Sequence, residues 1–278
     1  MRIRSLLTGG IVAAAISAVA APALAITVQV TVTNISPNGG VVLTPLWVGF
    51  HNGSFDSYDG GSAIAAELER LAEDGNTAPI SGAFLAGNTL VPTGVAQVGS
   101  RVDGTIGGLL MPGESADQSF QVDINGANQF FSCASMALPS NDYYVANGNP
   151  LQFDLAALLA GGSTSFFIRA PGTVNDAGTE VNDFADSPGN PLFRIPAGQT
   201  APDQGVAENG VNTNVVDAFA NFHNIPAGGV PRTLDFNSYT GGGIARIDIA
   251  VAPVPGSLVM MGTALLGAGF IAPRRMKK

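Results

Sequence analysis

Lysine is almost missing from this chain: of 278 residues, only Lys277 and Lys278 carry that side chain. Away from the two ends the cations are Arg70, Arg101, Arg169, Arg194, Arg232 and Arg246, while all 21 Asp and Glu residues lie in that same interior. The interior is therefore more acidic than the formal net charge of −9 for the whole chain. Such a balance excludes nucleic acid as a partner, because phosphates require a basic surface. Cysteine is reduced to Cys133, so no intramolecular disulfide exists. Cys133 sits in the apolar run from Gln129 to Leu138 and reads as a small buried hydrophobe, not a reactive thiol. Histidine is reduced to His51 and His223, with no His-x-x-His spacing, whereas a zinc site needs several His or Cys ligands. Neither Gly-x-Ser-x-Gly nor a P-loop occurs, and no dinucleotide fingerprint opens a helix in a βαβ setting. Paired acids of the glycosidase kind stay open, because acids are common and their separations are invisible in sequence. The balance points away from an enzyme.

Glycine and proline are plentiful, at 36 and 18 residues, and 46% of residues are hydrophobic. The first two numbers give a loop-rich, all-β composition, and the third is too high for a disordered chain. The ends differ from the interior. Residues 1–25 read as a signal peptide: Arg2 and Arg4, an alanine-rich apolar run, then Ala23-Leu24-Ala25 as a small-x-small cleavage site. Residues 253–278 read as a membrane-sorting tail. There Pro253-Val254-Pro255-Gly256 precedes an apolar run from Ser257 to Ala272, and Arg274, Arg275, Lys277 and Lys278 follow. This tail resembles the PEP-CTERM sorting signal, with Val254 where its members carry glutamate. The resemblance implies transient anchoring in the inner membrane and recognition by an exosortase-type enzyme. Export to the cell surface or the extracellular space is the expected localisation.

Between the ends, residues 26–252 read as one domain. Ile26 to Asn34 alternates apolar and polar residues, as does Ile244 to Val251, and both patterns predict half-buried strands. Further strands are expected at Val41–Phe50, Val98–Val102, Gly107–Met111, Gln118–Ile124 and Asn128–Leu138. Asp142–Val145, Leu151–Leu155 and Ser163–Ala170 complete the set. One short helix is expected near residues 62–73, where Ile64, Leu68 and Leu71 recur at helical spacing after a possible Ser62 cap. Residues 171–231 read mostly as loop. The predicted architecture is an antiparallel β-sandwich, its sheets closed by the first and last strands.

Three stretches carry a more specific signal: Leu43 to Asp56, Leu68 to Asn76, and a split pair, Leu138-Pro139-Ser140-Asn141-Asp142-Tyr143-Tyr144-Val145 with Asn175-Asp176-Ala177-Gly178-Thr179-Glu180. In this order they resemble the N-terminal spondin domain in its bacterial form. The resemblance implies a sandwich like that of C2 domains, and calcium held by Asp142, Asp176 and Glu180. Read on their own, these residues are compatible with calcium, which takes six to eight oxygens, but favour solvated turns that make local backbone bonds; it is the resemblance that tips the reading to calcium. Asn141, Asn175, Asn182 and Asp183 are further oxygen sources nearby. No EF-hand order occurs; Asp56-Ser57-Tyr58-Asp59-Gly60 spaces its acids differently and reads as a turn. The expected role is an exported adhesion or matrix module that binds calcium and extracellular polysaccharide or a surface protein. The alternatives are a structural matrix protein without metal and an extracellular carbohydrate-active enzyme.

Overall fold

The computed structural model describes residues 25–252, except positions 93, 95, 161, 171–172, 183–203, 215–224, 228–229, 233–238 and 240–242. The expected leader up to Leu24 and the expected tail from Pro253 onward lie outside the described residues, as do Asp183 and His223. Among the described residues no helix is long and apolar enough to cross a membrane.

Alternation sets the first sheet. Strand β1 (Ile26–Asn34) turns Val28, Val30 and Val32 inward, and the polar residues between them face outward. Ahead of the last strand come β2 (Val42–Leu43), β3 (Leu46–His51), helices α1 (Ala66–Asp74) and α2 (Ala78–Ala86), β4 (Val102–Ile106) and β5 (Ser115–Val122). Next are β6 (Phe130–Leu138), β7 (Tyr143–Ala146), β8 (Phe153–Asp154), a 3-10 turn at Ala156–Ala160, β9 (Ser163–Arg169) and β10 (Val174–Asp176). Strand β11 (Thr213–Asn214), the hairpin β12 (Ile225–Ala227) and β13 (Val230–Arg232), and β14 (Gly243–Val251) complete the order. One sheet runs β5-β1-β14-β9, and the other β11-β10-β7-β6-β3-β4, with β2 and β8 added on β6. Every pairing between these strands is antiparallel. The protein is an all-β sandwich with a helical layer.

Two apolar layers hold it together. Between the sheets, Val28, Val30, Val32, Phe120, Ile247 and Ile249 meet Val48, Phe50, Phe131 and Val145. On the far side of the larger sheet, Trp47, Ala134, Tyr144 and Ala146 meet Phe55, Leu68, Leu71, Ile80 and Phe84. Strands β3, β6 and β7 are thus covered on both faces, which is why they read as continuous apolar runs. Gly49 is required here: a Cβ would lie 2.7 Å from the Trp47 ring and 3.1 Å from that of Phe84.

Several expectations need correction. The helix begins at Ala66 and not at Ser62, and no side chain caps it; the Ser62 carbonyl instead accepts from Asn212 N–H. It ends as expected, at Gly75 in the left-handed region with φ of 64°. A second helix, α2, was not expected; Pro79 and Gly82 mask the Ile80, Ala83, Phe84 stripe that it buries. The strand expected at Val98–Val102 lies later, as β4, where Gly104 makes room for the Phe120 ring. Of Gly107–Met111 only a bridge between Leu110 and Leu43 forms. The first and last strands do not close the sheets; β1 and β14 pair with each other at the centre of the smaller one.

Phe84 joins the helical layer to the sheet, with its ring 5.3 Å from that of Trp47 and 5.0 Å from that of Phe55. Phe84→Ala is expected to lower the unfolding free energy by about 3–5 kcal/mol, read from urea midpoints. A loss under about 1 kcal/mol would mean that the layer does not depend on this contact.

Candidate functional site

Asp142 and Asp176 sit at adjoining ends of paired strands, Asp142 just before β7 and Asp176 as the last residue of β10, opposite Tyr143. The turn before Asp142 is fixed by its own serine: Ser140 Oγ donates to Ala137 O at 2.6 Å and accepts from Tyr143 N–H at 3.1 Å. Asn141 Nδ2 donates to Val181 O at 3.0 Å and ties this turn to the second acidic segment. In that segment Asp176 Oδ1 accepts from Gly178 N–H at 2.8 Å, an Asx turn. Gly178 has φ of 68°, and a Cβ there would approach Val211 O to 2.8 Å, so only glycine fits.

The fold buries Asp142 completely. Its Oδ2 accepts from the N–H groups of Thr179 and Glu180, each at 3.1 Å. Its Oδ1 is also buried and finds no N–H or hydroxyl donor among the described residues; a hydrogen bond with the Asp176 carboxyl is open to the pair only when one of the two holds a proton. Asp176 is half-buried, and its Oδ2 accepts from Asn182 Nδ2 at 2.7 Å. Asn182 Oδ1 is a second buried oxygen without a partner among the described residues.

Electrostatics tie the two carboxyls together. Burial, and after it the charge on Asp176, push Asp142 up to about 8, against the two N–H bonds that favour its ionised form. Asp176 is raised too, first by burial and then by the charge of Glu208. A hydrogen bond across the pair requires that one carboxyl hold a proton; with both ionised, no hydrogen lies between them. Among the described residues the ion pairs formed by arginine involve Glu73, Asp74 and Asp248, not this pair.

Glu180 is buried as well; its Oε1 accepts from Gly205 N–H at 2.6 Å, and its charge adds to that of Asp176 in raising Asp142. The structure therefore packs two of the three carboxyls implied by the resemblance against each other, and ties the third to Gly205 of the 204–210 strip within electrostatic reach of Asp142. Among the described residues no group of three or more His, Cys, Asp or Glu side chains is arranged to hold a metal ion. Beside Glu180 lies a cavity of about 150 Å³, lined by Glu69, Glu73, Thr179, Glu180 and Glu208. Glu208 went unnoticed in the sequence, where its one signal is the Glu-Asn-Gly turn it opens.

His51 lies apart from this site. Its Nδ1 accepts from Gly53 N–H at 3.0 Å, so Nε2 carries the hydrogen and donates to Ser132 Oγ at 2.9 Å. Asn147 Nδ2 donates to the same oxygen at 3.1 Å. A base that donates to a serine does not activate it as a nucleophile. Burial lowers His51 to about 4 and pushes the buried Cys133 thiol up to about 12. Compared with models of known protein families and with curated proteins, the chain matches none.

Asp142 rises from 3.8 unfolded to about 8 folded, so its contribution to stability is full below pH 3.8 and is lost as the pH climbs through about 8. Chelator-treated wild type is expected to lose melting temperature over that window relative to Asp142→Asn, which does not titrate there. His51 contributes in the opposite direction below 6.5, equally in both proteins, and cancels in the difference. Parallel melting curves would show that the buried pair does not store this repulsion.

Proposed function

We propose that the chain is an exported, non-enzymatic binding module of the spondin type. It holds calcium at the Asp142–Asp176 end of its sandwich and offers the surrounding loops to extracellular polysaccharide or a surface protein. The observation that carries the reading is the buried Asp142 Oδ1, which meets no N–H or hydroxyl donor among the described residues and lies beside a second carboxyl that repels it when both are ionised. A buried, unpaired anionic oxygen is costly unless a cation or proton meets it. Calcium suits the donor set, which is made of oxygens throughout: Asp142, Asp176 and the Asn182 amide oxygen, with Glu180 as the residue that the resemblance adds. When bound it would supply the positive charge that the described arginines do not bring to this pair. Asp142 Oδ2, held by two backbone N–H groups, fixes the 179–180 turn against β7.

A non-catalytic role is supported by the direction of the His51–Ser132 hydrogen bond. The leader and the sorting tail supply the export and transient anchoring in this reading, and the link of such tails to exopolysaccharide supports the choice of partner.

Calcium at one hundred times its Kd is expected to stabilise the protein by about 2.7 kcal/mol, reversed by chelator. Magnesium should do much less, because it demands a tighter octahedral shell. Asp142→Asn should abolish the response. A wild-type protein whose melting temperature ignores both calcium and chelator would remove the metal from this reading and leave a structural matrix protein. Calcium-dependent retention on the producing cells' own polysaccharide tests the partner.

A further inference from the structure

We propose that the outer face of the smaller sheet is a second contact for the polysaccharide, centred on Arg246, which takes the carboxylate of a uronic acid residue. The inference rests on the polysaccharide partner proposed above, and not on calcium.

Alternation turns every second residue of β5, β1, β14 and β9 outward, and most of these are polar. The registers line them up across the sheet. One row runs Ser115, Thr33, Arg246, Phe167, and the next runs Asp117, Thr31, Asp248, Ser165. Arg246 is held from one side. Its Nε donates to Asp248 Oδ2 at 2.7 Å, and Asp248 Oδ1 accepts from Ser165 Oγ at 2.6 Å. The serine thus orients the carboxylate, and the carboxylate orients the guanidinium. The edge formed by the two Nη groups meets no acceptor among the described residues, and the side chain is 48% exposed. Such an edge matches a carboxylate through two parallel N–H bonds.

Other described arginines are committed. Arg70 pairs with Glu73 and Asp74, and Arg101 donates to the carbonyls of Leu85, Gln97 and Gly99. Arg169 lies over Phe167, its guanidinium carbon 4.5 Å from the ring centroid, and Phe167 is the cross-strand partner of Arg246. Two cations therefore gather at one corner of the sheet. On this face they stand against Asp117 and Asp248, whereas acids far outnumber cations in the interior of the chain. A polyanion repelled by the rest of the body meets balanced charge here.

The surroundings decide which carboxylate. A protein partner needs an apolar centre that excludes water around its anchors. Among the outward residues of these four strands Phe167 is the one aromatic side chain, and its neighbours carry hydroxyls and amides. Thr31, Thr33, Ser115 and Gln29 suit a hydroxyl-rich chain lying across the strands. The exposed part of the Phe167 ring, beside Arg246, offers a surface to the C–H side of a sugar ring.

Calorimetric titration of the full chain in chelator with trigalacturonate, which carries one carboxylate per ring, tests the site without calcium. Binding is expected, at least about tenfold tighter than to the methyl ester, which keeps the rings and loses the charge. Arg246→Gln is expected to weaken binding by about tenfold or more at an unchanged melting temperature. Arg246→Lys, a point charge without a fork, should recover only part of the loss. Wild-type affinity in Arg246→Gln overturns the assignment. Equal binding of the methyl ester does so too, as does equal binding of triglutamate, which would make an acidic protein segment the occupant. Binding that appears only when calcium is restored, and is indifferent to Arg246→Gln, overturns it in favour of the loops. A wild type that ignores trigalacturonate but is retained on the producing cells' polysaccharide removes this site alone. One retained on neither removes the polysaccharide reading with it.

Discussion

Burial of β3, β6 and β7 on both faces is the constraint from which the rest of this structure follows. A half-exposed sheet needs apolar residues only at alternate positions, but these strands must satisfy two neighbours at once. Leu46, Val48 and Phe50 answer to the smaller sheet, whereas Trp47 and Gly49 answer to the helices. The hydrogen bonds inside this layer lie far from water, and so do its polar side chains. Ser132, Asn147 and His51 therefore hydrogen-bond to one another and to the backbone around them.

The same constraint makes the acidic end of the sheet unusual. Strand β7 delivers Asp142 to the interior because the residues after it, Tyr143 and Tyr144, are anchored in opposite apolar layers. A carboxyl so placed gains two backbone N–H donors but no cation among the described residues, and a second carboxyl arrives from β10. The Asx turn at Asp176 and the left-handed Gly178 then give the chain its direction toward the 204–210 strip. Fold and site are thus linked by rigid strands on one side and by tight turns on the other.

The legible parts of the sequence were those with one wet face. Ile26–Asn34 and Ile244–Val251 alternate visibly because their outward residues, such as Thr31 and Asp248, stay in solvent contact. That these two strands pair with each other was not legible, since register between distant segments leaves no local mark. Helix α2 was hidden by Pro79, which suits a first helical turn but reads as a breaker, and by Gly82 inside it. At the site, Asp142 and Asp176 stood out through their motifs, and their convergence is seen in the structure. The engagement of Glu180 by Gly205, and the approach of Glu208 to Thr179, depend on backbone pairing across a long connection. No spacing rule encodes such a pairing.

The central placement of β1 beside β14 has a mechanical meaning. Val28 faces Val251 in an antiparallel register, so the two ends of the domain leave it side by side at one pole. Bonds between antiparallel strands run across the strand direction. Tension applied between these two ends would meet them one at a time, like a zipper opened from its end, and not as a group in shear. A load that enters by one terminus and leaves through the loops at the Asp142 turn follows another route, through the packed interface between the sheets. How such a domain resists load thus depends on which points are held, more than on how stable it is at rest.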